Sequence, residues 1–168
     1  MVQSNELSFI IDRTVDDVRR WKTLRDKGWL RMTKEERKEW LGEIETTPAA
    51  TKGMYTHNDL NRVEKAVEAI SLRFKESGYD VPELNTKTNW TYHDTVTKTD
   101  MERYLHNISV LREFFMVFSD TPTVPNINAR LNYELANDIE KILKDIYNIA
   151  DSLIRSGYYV GEIISGEV

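Results

Sequence analysis

The sequence predicts an all-α fold: an internally duplicated four-helix core of two helical pairs, plus a short extra helix, with extended terminal arms. Three observations predict it. Four threonines are followed three positions on by a carboxylate (Thr14/Asp17, Thr33/Glu36, Thr56/Asp59, Thr97/Asp100), a pairing that satisfies the free amides of a helix start reciprocally. Apolar residues recur in steps of three and four behind those starts, which lines one helical face. The segment NDLNRVEKAVEAISLRFKESGYDVPE, residues 58–83, is echoed 79 positions later by NDIEKILKDIYNIADSLIRSGYYVGE.

Taken in order, residues 1–12 read as an N-terminal arm in which LSFII (7–11) is rich in aromatic and β-branched side chains. Helices near 14–27 and 33–44 make a short hairpin with Trp21, Leu24, Trp29, Trp40 and Leu41 on its buried side. A helix near 56–77 carries the stripe Leu60, Val63, Val67, Ile70 and Phe74, and Gly78 stops it. Residues 84–96 form a linker holding Lys87-Thr88-Asn89-Trp90-Thr91. The helix near 97–118 repeats the pattern at Met101, Tyr104, Ile108, Leu111, Phe115 and Phe118. Pro122, Pro125, Asn126 and Asn128 then mark a loop. The last helix, near 132–156, has Ile139, Ile142, Ile146, Ile149 and Leu153 and ends at Gly157, leaving 158–168 as a C-terminal arm.

The halves, 13–83 and 97–157, also share a start: Asp17-Val18-Arg19-Arg20-Trp21 resembles Asp100-Met101-Glu102-Arg103-Tyr104. A helix with one apolar stripe is not stable alone, so the two pairs are expected to pack as one compact domain. Arms of the kind seen at both ends suit strand pairing, with each other or with a partner.

Composition narrows the chemistry. The 168 residues contain no cysteine, which removes disulfides, thiolate metal sites and thiol nucleophiles. The N-terminus lacks the basic start and apolar run of a secretory signal, and no run of apolar residues is long enough to span a bilayer. His57, His93 and His106 form no metal-binding spacing, and the stretch from His93-Asp94 to Asp100 lacks the spacing and glycine of a calcium loop. Glycine-rich phosphate loops and Gly-x-Ser-x-Gly elbows are absent from the sequence. No enzyme activity, cofactor or metal is expected.

Net charge is −5, from 23 basic and 28 acidic residues, yet residues 13–38 hold ten basic against five acidic side chains. Interleaved with Trp21 and Trp29, that stretch suits nucleic acid, but its own carboxylates repel phosphate and a hairpin core explains the tryptophans. Candidate partner-binding residues are Trp90, Tyr92, Tyr158, Tyr159, Phe9 and Ile10. The duplicated polar pairs, Asn58-Asp59 and Asn137-Asp138, are expected to stabilise helix starts and to hydrogen-bond between the halves.

Several phrases, in order, resemble a known family: IIDRTVDDVRR, GWLRMTKEERKEWLGEI, KGMYTHNDLNRVEKAVEAI, KTNWTYHD, TDMERYLHNISVLRE and LNYELANDIEKIL. They are similar to helical modules of tail and baseplate structural proteins from phages and prophages of Gram-positive bacteria (Firmicutes, many gut-associated). The likeness runs from about residue 8 to the C-terminus, with DLNRVE, TNWT and ANDIEKIL its most specific blocks. It implies a non-enzymatic virion protein of the tail, made in the bacterial host cytoplasm. Its partners would be other tail or baseplate proteins and further copies of itself, with no membrane and no nucleic acid. Rival readings are a module that recognises cell-surface polysaccharide through exposed aromatics, and a phage nucleic-acid-binding or head-completion protein using residues 13–38.

Overall fold

The computed structural model describes residues 7–41, 50–126, 128 and 131–155, apart from the side chains of residues 50 and 51. These form five α-helices and no strand. The helices are α1 (Val15–Lys27), α2 (Lys34–Leu41), α3 (His57–Glu76), α4 (Lys98–Phe114) and α5 (Tyr133–Arg155). Two 3-10 turns, Trp29–Arg31 and Ala50–Gly53, lie between them.

All four Thr-carboxylate starts form. The reciprocal pairing of side chain and backbone is made by Thr14 with Asp17, Thr56 with Asp59 and Thr97 with Asp100. At the head of α2, the Glu36 amide donates to Thr33 Oγ1 at 3.2 Å and the Thr33 amide to Glu36 Oε2 at 2.8 Å. Such a cap contributes roughly 1 kcal/mol at each start. Helix α3 stops where Gly78 takes a positive φ of 85°, a backbone state that a side chain disfavours. The matching Gly157, with Tyr158, Tyr159 and the rest of the C-terminal arm, lies outside the described residues.

Three of the helices share the main core. Val63, Val67, Ile70 and Phe74 of α3 pack with Tyr104, Ile108 and Leu111 of α4 and with Ile139, Ile142, Leu143 and Ile146 of α5. Phe115 closes one end, its ring 4.1 Å from that of Phe74. The expected fourth helix of the core, α1, stands beside it: Leu24 and Met32 form a separate small cluster with Trp40 packed on it. The hairpin is held by the 3-10 turn at Ala50–Gly53, which lies against the start of α1. A Cβ built on Gly53 would stand 2.2 Å from the Asp17 carbonyl oxygen, so the two backbones can approach only because this residue has no side chain.

Two expectations are corrected by this packing. The α4 pattern was expected to run to residue 118, but the helix ends at Phe114, and Phe115 turns into extended backbone (φ −103°, ψ 143°) so that its ring enters the core. Arg112 fixes the departing chain by donating to the carbonyls of Pro122 (2.7 Å) and Thr121 (3.3 Å), which leaves Phe118 exposed. In the hairpin, Trp29 and Leu41 are exposed rather than buried, because the 3-10 turn carries Trp29 away from Leu24 to where Arg37 stacks on it at 5.2 Å.

Candidate functional site

The polar chemistry of the molecule is concentrated where extended segments meet helices. Residues 7–13 have no helical or strand partner for their backbone, so buried amides there must be satisfied by side chains. Asn137 and Glu140, one turn apart on α5, supply them. The Arg13 amide donates to Asn137 Oδ1 at 3.0 Å, and Asn137 Nδ2 donates back to the Arg13 carbonyl at 2.9 Å. Three residues earlier, the Ile10 amide donates to Glu140 Oε2 at 2.7 Å.

The Arg13 side chain then folds back onto the same helix. One terminal nitrogen donates to Glu140 Oε1 at 2.7 Å and to Asp59 Oδ1 at 2.9 Å, and the other donates to the Ile10 carbonyl at 2.7 Å. Arg62 of α3 binds Glu140 through two nitrogens, at 3.1 and 2.7 Å, and reaches Asp59 at 2.6 Å. Two guanidinium groups and two carboxylates thus balance in a buried cluster that joins the arm, α3 and α5, and Glu140 is fully buried.

Asp59 divides its oxygens between two tasks. Oδ2 accepts from the Thr56 amide in the α3 cap, while Oδ1 accepts from the two arginines. Burial alone would raise its pKa, but the Thr56 amide and Arg62 outweigh burial and hold it below the ordinary carboxylate value of 3.8. Burial likewise opposes the charge on Arg62, and Glu140 and Asp59 more than restore it, raising its pKa. Beside this cluster, Tyr55 and Tyr104 share a hydrogen bond of 2.5 Å, and burial drives both phenols up, Tyr104 well above its usual value. Asp59, Arg62, Tyr55 and Tyr104 are each held in the charge state they have at neutral pH, and the cluster fixes chain segments in place.

The same device recurs on α3. Asn61 and Glu64 hold the linker as Asn137 and Glu140 hold the arm. The Trp90 amide donates to Asn61 Oδ1 and Asn61 Nδ2 to the Trp90 carbonyl, both at 2.8 Å; three residues earlier the Lys87 amide donates to Glu64 Oε2 at 2.7 Å. Trp90 also folds back, its indole nitrogen donating to Glu64 Oε1 at 3.1 Å. Arg103 of α4 grips Glu64 at 2.6 and 2.7 Å, the part that Arg62 plays for Glu140. On α4, Asn107 makes a third backbone pairing, accepting from the Asn85 amide at 3.2 Å and donating to its carbonyl at 2.6 Å.

These geometries place the residues singled out in the sequence. Trp90 is buried under Lys87, whose ammonium lies 3.6 Å from the ring centre, so it caps the core and is not available to a partner. Tyr92 is 78% exposed and stacks on His93. Phe9 and Ile10 are half-buried, with the Phe9 ring against Tyr147 at 6.3 Å, so the arm docks on its own chain and forms no strand among the described residues.

The asparagine-aspartate pairs part company. Asn58 is exposed at the start of α3 whereas Asn137 holds the arm; Asp59 is locked between arginines, whereas burial and Glu134 raise the pKa of Asp138. No bond joins the two pairs directly; Asp59 and Asn137 meet instead at Arg13. The residues that do share roles are Asn61 with Asn137 and Glu64 with Glu140, both 76 residues apart. A readable signal existed, Asn-x-Val-Glu-Lys against Asn-x-Ile-Glu-Lys, but it is offset by three residues from the longer echo.

Half of the ten basic residues in 13–38 are paired with carboxylates, Arg13 in the buried cluster and four more within the hairpin. Arg20 binds Glu39, Lys27 binds Glu36, Arg19 binds Asp16 and Arg25 binds Asp26 while lying 4.9 Å over the Trp21 ring. Apolar side chains are instead exposed at Trp29 and Leu30 in the hairpin turn, at Phe114 on the last turn of α4 and at Met116 and Phe118 beyond it; Leu30 and Met116 are 89% and 95% exposed. No group of three or more metal-ligating side chains occurs among the described residues, and no helix there is long and apolar enough to cross a membrane.

Fold and site together define an all-helical scaffold that pins its own extended segments with asparagine and glutamate side chains. The chain matches no family model, no curated protein and no solved structure.

Proposed function

We propose that this chain is a non-enzymatic structural protein of a phage virion, an adaptor in the tail or baseplate that works through protein-protein contacts. The observation that carries the reading is the exposure of Trp29, Leu30, Phe114, Met116 and Phe118 on a scaffold whose arm and linker are fixed by buried polar clamps. Large apolar groups held out at two turns suit anchoring in a neighbour's pockets, since aromatic anchors dominate most interfaces. The pairing of Arg19, Arg20 and Arg25 with carboxylates of the same hairpin favours a protein partner over a nucleic acid. The resemblance of the DLNRVE, TNWT and ANDIEKIL blocks to tail modules supplies the setting, and repeated copies within the particle fit the closed symmetry of such assemblies.

The test is quantitative mass spectrometry of purified tail particles from a producing strain. The proposal expects the chain at a small fixed ratio to the major tube protein. Its absence from well-purified particles overturns the reading.

A further inference from the structure

A cavity of about 330 Å³ lies between α1, the turn at Ala50–Gly53 and the start of α5. Its wall includes Arg13, Trp21, Lys22, Lys52, Tyr55 and Tyr133. Two buried nitrogens, Arg13 Nε and Trp21 Nε1, have no acceptor among the described residues, and the side chains that carry them both line this cavity. A buried donor without an acceptor is costly, and two beside one cavity mark a place built to meet an acceptor.

The charges around it agree in sign. The described lining contains three cationic side chains and no carboxylate, in a chain whose net charge is −5. Arg13 is already balanced by Asp59 and Glu140, and Lys52 by the exposed Asp12 at 2.7 Å, while Lys22 has no ion pair among the described residues. The first residues of α5 add the positive end of a helix. Val18, Met54, Leu131 and the rings of Trp21, Tyr55 and Tyr133 supply apolar wall, with Asn132 as a further polar group. Gly53, pressed on the α1 backbone, keeps that wall in place.

We propose that this cavity binds a small organic anion, a carboxylate or phosphate monoester on a flat apolar body, with Trp21, Arg13 and Lys22 meeting the head group and the aromatic rings flanking the body. The inference is independent of the adaptor reading, since it concerns a small ligand and a different surface from the exposed turns.

The four indole N–H resonances of the full chain give a direct readout, and Trp21→Phe assigns the one that matters. The probes are benzoate, phenyl phosphate, inorganic phosphate and benzyl alcohol, the last a neutral match for benzoate. A saturable shift of the Trp21 resonance is expected with benzoate or phenyl phosphate and not with benzyl alcohol, and the stronger of the two names the head group. Competition by inorganic phosphate would add that the head group alone binds. Trp21→Phe, which keeps an aromatic ring but loses the donor, should weaken the bound anion about tenfold, and Lys22→Gln with Lys52→Gln should do the same while circular dichroism stays unchanged. An equal shift with benzyl alcohol overturns the proposal, because the cavity would then be reading apolar surface alone. A Trp21 resonance that no probe moves at millimolar concentration overturns it as well.

Discussion

The clamp on α5 and the clamp on α3 use the same parts to solve problems of different size. The α3 clamp closes a short excursion: Lys87 and Trp90 lie 23 and 29 residues from Glu64 and Asn61. The α5 clamp captures the arm across 130 and 124 residues, from Ile10 to Glu140 and Arg13 to Asn137. Closing a longer loop costs more chain entropy, though the increment grows only slowly with length. The longer closure has the richer cluster: Glu140 meets two arginines and Asp59 joins them, whereas Glu64 meets one arginine and an indole. The matching arginines are alike, Arg62 keeping 21% and Arg103 17% of their side-chain surface, but the α5 cluster adds Arg13, which is almost wholly buried and has no counterpart in the α3 clamp. Charge buried on both sides of a pair is fragile to the loss of either partner, and charge with an exit to water is less so.

The largest expected effect tests that difference directly. Glu140→Ala strands Arg13 and Arg62 without their shared carboxylate and should cost about 3–5 kcal/mol in urea unfolding. Glu64→Ala should cost less, about 2 kcal/mol, because Arg103 can turn toward solvent while the Lys87 amide and Trp90 indole lose their acceptor. Equal losses would break the comparison.

Next in size are the asparagines. Asn137→Ala and Asn61→Ala each strip one amide and one carbonyl of their partner and should cost about 1–2 kcal/mol. Hydrogen exchange sharpens the assignment: Asn137→Ala should speed exchange of the Arg13 amide and spare Trp90, and Asn61→Ala should do the reverse. Exchange that rises at both sites in either variant would mean that the clamps open as one unit.

A smaller effect follows from protonation. Because the folded state holds the pKa of Asp59 below 3.8, its contribution is fully present above that value and is lost as pH falls through the lower folded one. Acid unfolding monitored from pH 5 downward should show this limb, and Asp59→Asn should flatten it. The smallest expected change has the opposite sign. Burial and Glu134 raise the pKa of Asp138, so its charged form is disfavoured by folding at neutral pH. Asp138→Asn should therefore raise the melting temperature slightly at pH 7, a gain that vanishes below pH 3.8, where the carboxyl of the unfolded chain is protonated as well.

Much of the helical frame was legible in the residues. The four threonine caps and the stripes of α3 and α5 depend on neighbours within a turn or two, and such local chemistry is written in consecutive positions. The exit of α4 was not, because Phe115 keeps the helical spacing while its backbone turns to fill a gap beside Phe74. Neither were the clamps. Asn61, Glu64, Asn137 and Glu140 look like solvent-facing helix residues until the extended segments they hold are known, and those segments lie far away in the chain. The 79-residue echo concealed them further. Three residues is nearly one helical turn, so the apolar stripe repeats almost as well at 79 as at 76, and only buried polar groups distinguish the two.

The arm has a place in time as well as in space. Residues 7–13 leave the ribosome ahead of all five helices, and Asn137 and Glu140 emerge only after α3 and α4 have been made. Until then Arg13 has Asp59 and Arg62 nearby in the nascent chain but lacks the glutamate that joins them. An arm made before all five helices is thus locked only when the last of them is complete, and newly made chains pass through an interval in which a loose arm and an incomplete clamp coexist.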